Sequence, residues 1–379
     1  MIPYGHQDIS EEDVAAVVEV LRSDRITQGE MVPRFEQQLC DLTGAGYAVT
    51  TNSATSALHL ACRVLGVGEG DMVWTSPNTF VASANCARYC GAEVDFVDIN
   101  PATGNLSVAA LEQKLASATR PPAVLIAVHF AGQSCEMAAL KSLADRYGFS
   151  IIEDASHALG ASYRGQPVGG GRFSDITVFS FHPVKLATTG EGGALLCNDG
   201  ELARRAIELR SHGVTRDAGR MTTLPVTSWS YEQQELGFNY RLTDIQAALG
   251  CSQLKRLPQF IDRRRDIARH YLDVFEREGI ESLSVTEEGA VHLFVIQVAP
   301  QHRGQIFDQL QERGIGVNVH YIPVYWQPYY QRLGFAMGLC PASETYYRRA
   351  ISLPVYPSLS DEQQDYVIEQ VLQVVSQHE

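Results

Sequence analysis

No stretch of the sequence is suited to carry the chain into or across a membrane. Nowhere does it reach the roughly 18 consecutive apolar residues that a membrane-spanning helix needs. Met1–Tyr4 runs directly into polar sequence, without the basic and apolar regions of a secretion signal. Basic residues are also scarce, since 30 lysines and arginines are outnumbered by 44 aspartates and glutamates, which gives a net charge of −14. These absences predict a cytoplasmic protein whose main partner is neither nucleic acid nor a membrane surface.

The eight cysteines lack the spacing of a metal centre or a redox pair. None of them forms a Cys-x-x-Cys pair, and no histidine lies near them at zinc spacing. Most adjoin apolar residues, so we expect reduced side chains that pack as small hydrophobic groups. The sequence therefore predicts no metal site.

The chain does contain enough apolar residues for two folded domains. Its 379 residues correspond to about two and a half typical domains, and an apolar content of 45% excludes a disordered protein. Between residues 47 and 154, short β-rich runs alternate with helix-like segments, which is typical of a mostly parallel sheet covered on both faces. The predicted strands are 47–51, 72–76, 92–99, 123–130 and 150–154, and the predicted helices are 54–65, 79–90, 107–117 and 137–147.

Different patterns precede and follow this alternation. Ser10 predicts the N-cap of a first helix, and Pro33 predicts the start of a second. The runs 176–181 and 194–198 are joined by a link too short for a helical crossover, which predicts antiparallel pairing. A long charged helix begins after Thr243 and leads into a smaller α+β region. That region has predicted strands at 293–299, 315–321 and 350–356 and predicted helices at 303–313 and 360–377.

We therefore predict a large domain with an N-terminal arm at residues 1–250 and a small C-terminal domain at residues 251–379.

Three short segments carry the residue types of a cofactor site. Small hydroxyl residues at 51–59 lie where a strand ends and a helix begins, a place that favours a phosphate group. Asp154 ends an apolar strand, at the edge where open α/β sheets bind ligands. Lys185 follows another apolar strand, where loss of solvent lowers the pKa of the amine and makes it nucleophilic. Taken singly, each has a structural alternative: a helix cap, a carboxylate that caps a turn, or a solvated surface lysine.

Taken together, the three segments favour pyridoxal 5′-phosphate as the cofactor. Lys185 lies 31 residues beyond Asp154. A phosphate site anchors this cofactor, a carboxylate keeps its pyridine nitrogen protonated, and a lysine forms a Schiff base with it. The three segments supply one group for each of these requirements.

Seven ordered motifs extend this pattern over the chain. They are Leu21-Arg22-Ser23, Thr27-Gln28-Gly29 and the segments 52–58, 153–160, 180–185, 190–193 and 237–241. In this order they resemble the motifs of the sugar aminotransferases of the DegT/DnrJ/EryC1/StrS family, and the resemblance covers essentially the whole length. It implies the type I, aspartate-aminotransferase-like fold, in which a large, mostly parallel α/β/α domain precedes a small α+β C-terminal domain. It also implies a homodimer with shared active sites, with pyridoxamine 5′-phosphate as the intermediate form of the cofactor.

The resemblance further implies a role for each site residue. Lys185 forms the Schiff base and moves the proton, and Asp154 pairs with the pyridine nitrogen. The other residues implied to bind the cofactor are Phe80 stacked on the ring, His157 near the ring oxygen, the backbone of Ala54 and Thr55 with the Ser180 hydroxyl at the phosphate, and Asn239 supplied there by the partner subunit. The residues implied to bind a nucleotide sugar are Tyr4, Arg25, Ile26, Thr27, His320, Tyr321, Ile322 and Pro323.

Within the family, the runs 180–185, 188–193 and 319–325 are most similar to the branch that serves pseudaminic acid synthesis. This similarity implies that L-glutamate gives its amino group to C4 of a UDP-linked 2-acetamido-2,6-dideoxy-4-ketohexose. Three alternatives stay open. The first is amination of another 4-keto sugar linked to dTDP, GDP or UDP. The second is a pyridoxamine-dependent sugar dehydratase, although such enzymes have histidine in place of Lys185. The third is a non-catalytic protein that keeps the cofactor pocket for binding.

Overall fold

The computed structural model describes residues 1–222 and 226–378. Its helices are α1 Glu11–Leu21, α2 Met31–Thr43, α3 Ala54–Val64, α4 Ala82–Tyr89, α5 Val108–Ser117, α6 Met137–Tyr147, α7 Gly200–Arg210, α8 Asp244–Arg277, α9 Arg303–Glu312, α10 Pro328–Gln331, α11 Pro341–Arg349 and α12 Asp361–Ser376. Its strands are β1 Tyr47–Thr51, β2 Met72–Thr75, β3 Glu93–Phe96, β4 Val124–Val128, β5 Ser150–Asp154, β6 Ser162–Tyr163, β7 Gln166–Pro167, β8 Ile176–Ser180, β9 Gly193–Cys197, β10 Val214–Thr215, β11 Glu232–Gln233, β12 Glu281–Ser282, β13 Phe294–Gln297 and β14 Ala350–Leu353.

A seven-stranded sheet in the order β1-β9-β8-β5-β4-β2-β3 forms the centre of the large region. β9 is antiparallel to both of its neighbours, whereas the pairs from β8 to β3 are parallel. This confirms both the mostly parallel sheet and the expected antiparallel pairing. Every residue of β4, β8 and β9 is buried, as a sheet covered on both faces requires. Because β5 and β8 are parallel neighbours, Asp154 and Ser180 end their strands at the same edge of the sheet.

Side-chain caps define the starts of several helices. The predicted cap at Ser10 is confirmed, since its hydroxyl accepts the Asp13 N–H and the Asp13 carboxylate accepts the Ser10 N–H. Thr243 caps α8 in the same reciprocal way with Gln246. The predicted start of a helix at Pro33 is wrong by two residues, because α2 begins at Met31. The Asp244 carboxylate accepts the N–H groups of the first turn of α2 and thereby fixes that earlier start.

The C-terminal region is built on the antiparallel sheet β12-β13-β14. Apolar side chains of this sheet pack with the second half of α8 and with α9 and α12 in one core cluster. The predicted strand at 315–321 is wrong. Only isolated bridges form there, from Ile315 to Ile2 and from Asn318 to Ser352, because the segment leaves the sheet and runs along the cavity described below.

α8 connects the two cores without a break. Side chains from its first half, including Leu257 and Ile261, pack in a cluster with the large sheet. Ile267 and Tyr271, further along the same helix, pack in the C-terminal cluster. In addition, Val324 and three later residues up to Cys340 belong to the large sheet's cluster. The division at residue 250 stays a prediction.

The cysteines fit the expectation of free, packed side chains. All eight are free, and seven are buried, whereas Cys40 is partly exposed. Among residues 1–222 and 226–378, no helix is both long and apolar enough to cross a membrane.

Candidate active site

A cavity of about 560 Å³ lies at the carboxyl ends of β5 and β8. It is bounded by the start of α3, by the residues around the start of α4, by the N-terminal arm and by the segment 318–321. The predicted site residues that line it are Tyr4, Ala54, Thr55, Phe80, Asp154, His157, Ser180, Lys185, His320 and Tyr321. The structure thus brings residues from positions 4 to 321 into one cavity.

Asp154 is held rigidly at the end of β5. Its Oδ2 accepts the Ser83 hydroxyl at 2.6 Å, and its Oδ1 accepts the Ser156 hydroxyl at 2.6 Å. The Ser83 hydroxyl in turn lies 2.7 Å from that of Thr79. Asp154 itself is only 5% exposed. A buried carboxylate with two short hydrogen bonds is well placed to pair with a protonated heterocyclic nitrogen.

The Lys185 side chain lines the same cavity as Asp154. Part of the side chain is exposed to the cavity, but burial of the amine lowers its pKa to about 8, although the nearby Asp154 carboxylate opposes this shift and Arg264 adds to it. An amine with such a pKa is partly unprotonated near neutral pH and can act as a nucleophile or a base.

The start of α3 and Ser180 line the same cavity. The Ser53 hydroxyl caps the helix by accepting the Ser56 N–H at 3.1 Å, and the N–H groups of Ala54 and Thr55 have no acceptor within the helix. β9 passes directly against this turn, because a Cβ atom on Gly193 would lie only 2.5 Å from the Ala54 nitrogen. The close approach brings the helix N-terminus to the sheet edge, where its dipole favours a phosphate group.

The imidazoles around the amine are uncharged near neutral pH. Burial and the neighbouring Lys185 lower the pKa of His157 well below its usual value. The same two causes lower the pKa of His320 to about 3. His157 Nε2 lies 3.3 Å from the Tyr321 hydroxyl, and its Nδ1 has no partner among the described residues. That buried, unpartnered nitrogen indicates a ligand group within reach of His157.

The mouth of the cavity is aromatic. Phe80 is 60% exposed, which is unusual for a phenylalanine, and its ring centroid lies 6.4 Å from that of Tyr321. The Tyr4 ring, which also lines the cavity, lies 5.4 Å from that of His320. The N-terminal arm is fixed by strand-like bonds, from the Ile2 N–H to the Gly314 carbonyl at 2.7 Å and from the Val355 N–H to the Tyr4 carbonyl at 3.1 Å.

Six predicted residues lie outside this cavity in their own chain. Arg25 lines a second cavity of about 650 Å³ between α1, α2 and α8, and the adjacent Ile26 and Thr27 are exposed. Ile322 is exposed and Pro323 buried, immediately after Tyr321. Asn239 is exposed, and its carbonyl accepts the Asn52 amide at 3.5 Å. Their roles stay predictions.

Several residues of the site were not predicted from the sequence. Ser83 and Ser156 hold Asp154, Asn318 lines the cavity, and His292 contacts Lys185. Ser156 lies within the motif at 153–160, so the motif could have identified it. His292 interrupts an apolar run at the start of a predicted strand, and a buried histidine there could have been recognised as unusual.

Comparisons with known proteins agree on one family. The model of the DegT/DnrJ/EryC1/StrS aminotransferase family matches residues 7–372. The chain is 38% identical to the spore coat polysaccharide biosynthesis protein SpsC of Bacillus subtilis, over 99% of this chain and 97% of that protein. It is also 38% identical to the UDP-4-amino-4,6-dideoxy-N-acetyl-β-L-altrosamine transaminase of Campylobacter jejuni, over 95% of this chain and 94% of that protein.

A solved structure extends the agreement to the fold. The structure of Helicobacter pylori PseC, an aminotransferase involved in the biosynthesis of pseudoaminic acid, matches with a TM-score of 0.92 at 33% identity. The match covers 99% of each chain. It confirms the predicted fold class.

Proposed function

The chain belongs to the DegT/DnrJ/EryC1/StrS aminotransferase family, and we propose that it transfers the amino group of L-glutamate to C4 of a UDP-linked 2-acetamido-2,6-dideoxy-4-ketohexose. The products are UDP-4-amino-4,6-dideoxy-N-acetyl-β-L-altrosamine and 2-oxoglutarate. The observation that carries the proposal is the Lys185 amine with its lowered pKa, in one cavity with Asp154 and the start of α3.

Enzymes of this family depend on pyridoxal 5′-phosphate, and structures of similar chains include a form with it and a form with pyridoxamine phosphate. The cavity fits this group, since it offers an anion site, a buried carboxylate, an amine and an unpartnered ring nitrogen on His157. Lys185 would hold the cofactor covalently, and Asp154 would hold its ring nitrogen. Ala54, Thr55 and Ser180 would hold its phosphate. When bound, the cofactor supplies an electron sink for the carbanion formed at the amino donor.

The chain's own part in the reaction is proton transfer and orientation. Lys185 takes the proton from the α-carbon of the donor and later returns a proton to the sugar carbon. A group with a pKa of about 8 serves both steps near neutral pH. Asp154 keeps its place throughout, because Ser83 and Ser156 fix both carboxylate oxygens.

We propose that the substrate site is completed by a second copy of the chain. Tyr4, His320 and Tyr321 line the cavity of their own chain, whereas Arg25, Ile26, Thr27 and Asn239 do not. Exposure of Ile26, Thr27 and Asn239 leaves them available to a partner. We place Asn239 at the phosphate of the neighbouring site and residues 25–27, together with Ile322 and Pro323, at the nucleotide sugar.

A second candidate is amination of a different nucleotide-linked 4-keto sugar, carried by dTDP, GDP or UDP. It is favoured by the equal 38% identity to a relative named for spore coat polysaccharide biosynthesis. A non-catalytic binding protein is disfavoured, because the family whose model matches residues 7–372 is an aminotransferase family.

Turnover on a panel of nucleotide 4-keto sugars, with glutamate as the donor and mass spectrometry as the readout, tests the proposal. We expect the β-L-arabino UDP-2-acetamido sugar to be preferred over its D-xylo epimer. A sugar without the acetamido group should be rejected strongly, because hydrogen-bonding groups of the site would be left unpaired. Faster turnover of the D-xylo epimer or of a dTDP sugar without the acetamido group contradicts the substrate and leaves only the sugar aminotransferase activity.

A further inference from the structure

A second histidine, His292, contacts the Lys185 amine. Its Nε2 lies 3.4 Å from Lys185 Nζ, and its ring centroid is 4.3 Å from that of His157. His292 is only 4% exposed, and its Nδ1 has no hydrogen-bond partner among the described residues. The polar contact of this imidazole is therefore made with the amine that the reaction uses.

The backbone around His292 is strained in a way that fixes the ring. Val291 has φ +50°, a conformation that a β-branched residue rarely adopts. The His292 N–H donates to the carbonyl of Ala131, which also has a positive φ of +56°. Gly132 lies so close that a Cβ atom there would be 2.9 Å from the His292 nitrogen. Strain of this kind persists where the surrounding structure imposes it, often at a functional position.

A buried arginine lies directly behind His292. Arg264, from α8, is 1% exposed, and its Nη1 donates to the carbonyl of Val355 at 2.8 Å and to those of Val291 and His292 at 3.4 Å. Among the described residues it forms no salt bridge with a carboxylate. Burial lowers its pKa to about 10, so it stays charged near neutral pH. A buried cation without a counter-ion carries a large desolvation free energy, which indicates a specific role for Arg264.

We propose that His292 and Arg264 are positioning residues for Lys185. His292 accepts an N–H of the amine and fixes its direction, whereas the positive charge of Arg264 disfavours a second cation at Lys185. His292 thereby orients the amine, and Arg264 keeps it unprotonated at the moment when it must take a proton. The purpose of this arrangement rests on the proposed function, but its test requires neither substrate nor turnover.

Among the charged groups that face the Lys185 amine, Arg264 is the one whose substitution tests the proposal. The titratable or charged groups that face Lys185 are Asp154 at the end of β5, His157 after β5, His292 before β13, Arg264 on α8 and His320 in the segment 318–321. Burial and the charge of Lys185 lower the pKa of each of the three imidazoles, so they are neutral. Asp154 favours the protonated amine, and Arg264 opposes it. Arg264 does not line the cavity, so a substitution there removes no group from the cavity wall.

The test is competitive labelling of the full-length chain after removal of its cofactor. A limiting amount of acetic anhydride is applied over about pH 6 to 11, and labelling of Lys185 is measured by peptide mass spectrometry against the exposed Lys255. The wild-type midpoint is expected near pH 8. Arg264→Met should raise the midpoint by about half a pH unit or more, which lowers labelling at neutral pH about threefold. Arg264→Lys keeps the charge and should leave the midpoint unchanged.

His292→Phe should move the midpoint in the opposite direction. The substitution keeps an aromatic ring but removes the acceptor, and loss of a hydrogen bond to the ammonium form lowers the pKa of the amine. A substitution that merely loosens the site admits water and raises the midpoint in both variants. A labelling midpoint that rises in both variants overturns the proposal. So does an unchanged midpoint in Arg264→Met when that variant has the circular dichroism spectrum and Tm of the wild type. If Arg264→Met does not fold, Arg264→Gln and His292→Phe decide the question by the same opposite shifts.

Discussion

Lys185 is one of only four lysines in the chain, together with Lys114, Lys141 and Lys255. This scarcity makes the site unusually easy to map. Borohydride reduction of the enzyme with its cofactor should attach the label to the Lys185 peptide alone. Lys185→Ala should lower turnover by about a thousandfold or more, because one substitution removes both the covalent anchor and the proton carrier. Lys141→Ala, on the surface of α6, is the control and should leave turnover unchanged, whereas a label on any other lysine would refute the assignment.

The buried carboxylate of Asp13, which is 0% exposed, contributes to the stability of the fold. Its Oδ2 accepts Arg256 at 2.6 Å and Gln253 at 2.7 Å, and these contacts join α1 to α8. Asp13→Asn should lower the free energy of unfolding by about 1–3 kcal/mol, since it leaves Arg256 with a weaker partner. Glu12→Gln, on the exposed side of the same helix, is the matched control and should change little.

The effect at Asp13 should depend on pH with a defined sign. Burial raises the pKa of this carboxyl, but the bonds from Ser10, Ser252 and Gln253 and the charge of Arg256 outweigh it, so the pKa in the folded state is lowered. Stability from such a group is complete above the unfolded pKa of about 3.9 and is lost as the pH falls through the lower, folded value. Chemical denaturation should therefore show a constant difference between wild type and Asp13→Asn from neutral pH down to about pH 5, and a shrinking one below about pH 4. A difference that grows on acidification would contradict the ion pair.

Among the elements, the contact between β9 and α3 determines whether a phosphate can bind. A Cβ atom at Gly193 would lie 2.5 Å from the Ala54 nitrogen and cannot be accommodated unless the helix start moves. Gly193→Ala should weaken binding of pyridoxal phosphate by about tenfold or more and destabilise the protein by about 1–3 kcal/mol. Fluorescence titration of the cofactor and thermal unfolding measure the two effects. Gly304→Ala, in open space on α9, is the control, and equal losses in both variants would count against this contact.

The elements also show how far sequence patterns extend. The alternation of strands and helices from residue 47 to 154 could be predicted, because buried parallel strands are apolar along their whole length. The conformation of the 315–321 segment could not be predicted, because the apolar and β-branched residues around Val317 and Val319 are also typical of a strand. Here Asn318 and His320 turn to the cavity, and long-range contacts with Ile2 and Ser352 decide the conformation.

The same distinction holds for the site. Lys185 and Asp154 lie in local motifs at strand ends, so the sequence could identify them. The contact of Lys185 with His292, and that of His292 with Arg264 of α8, depend on how distant segments of the chain pack around the strained Val291. Arg264 and His292 each lie more than seventy residues from Lys185 in the sequence, so no local sequence pattern indicates this packing. The positions of Arg25 and Asn239 relative to the substrate depend on a second chain and stay predictions.

At the level of the whole molecule, the shared site can be tested by complementation. Lys185→Ala chains and Asn239→Ala chains should each be nearly inactive alone. After subunit exchange at equal amounts, about a quarter of wild-type activity is expected, because half of the dimers are mixed and each has one intact site. Native mass spectrometry verifies exchange. Exchange without recovery of activity would show that Asn239 serves its own chain.

The fixing of the N-terminal arm by Gly314 and Val355 has a consequence for biosynthesis. The arm leaves the ribosome before the rest of the pocket, yet the groups that hold Ile2 and Tyr4 in place are made more than 300 residues later. Until then the pocket lacks two of its walls, the arm and the segment that ends at Tyr321. A nascent chain therefore cannot complete its pocket, or bind the cofactor within it, until the residues up to Val355 have been made and folded.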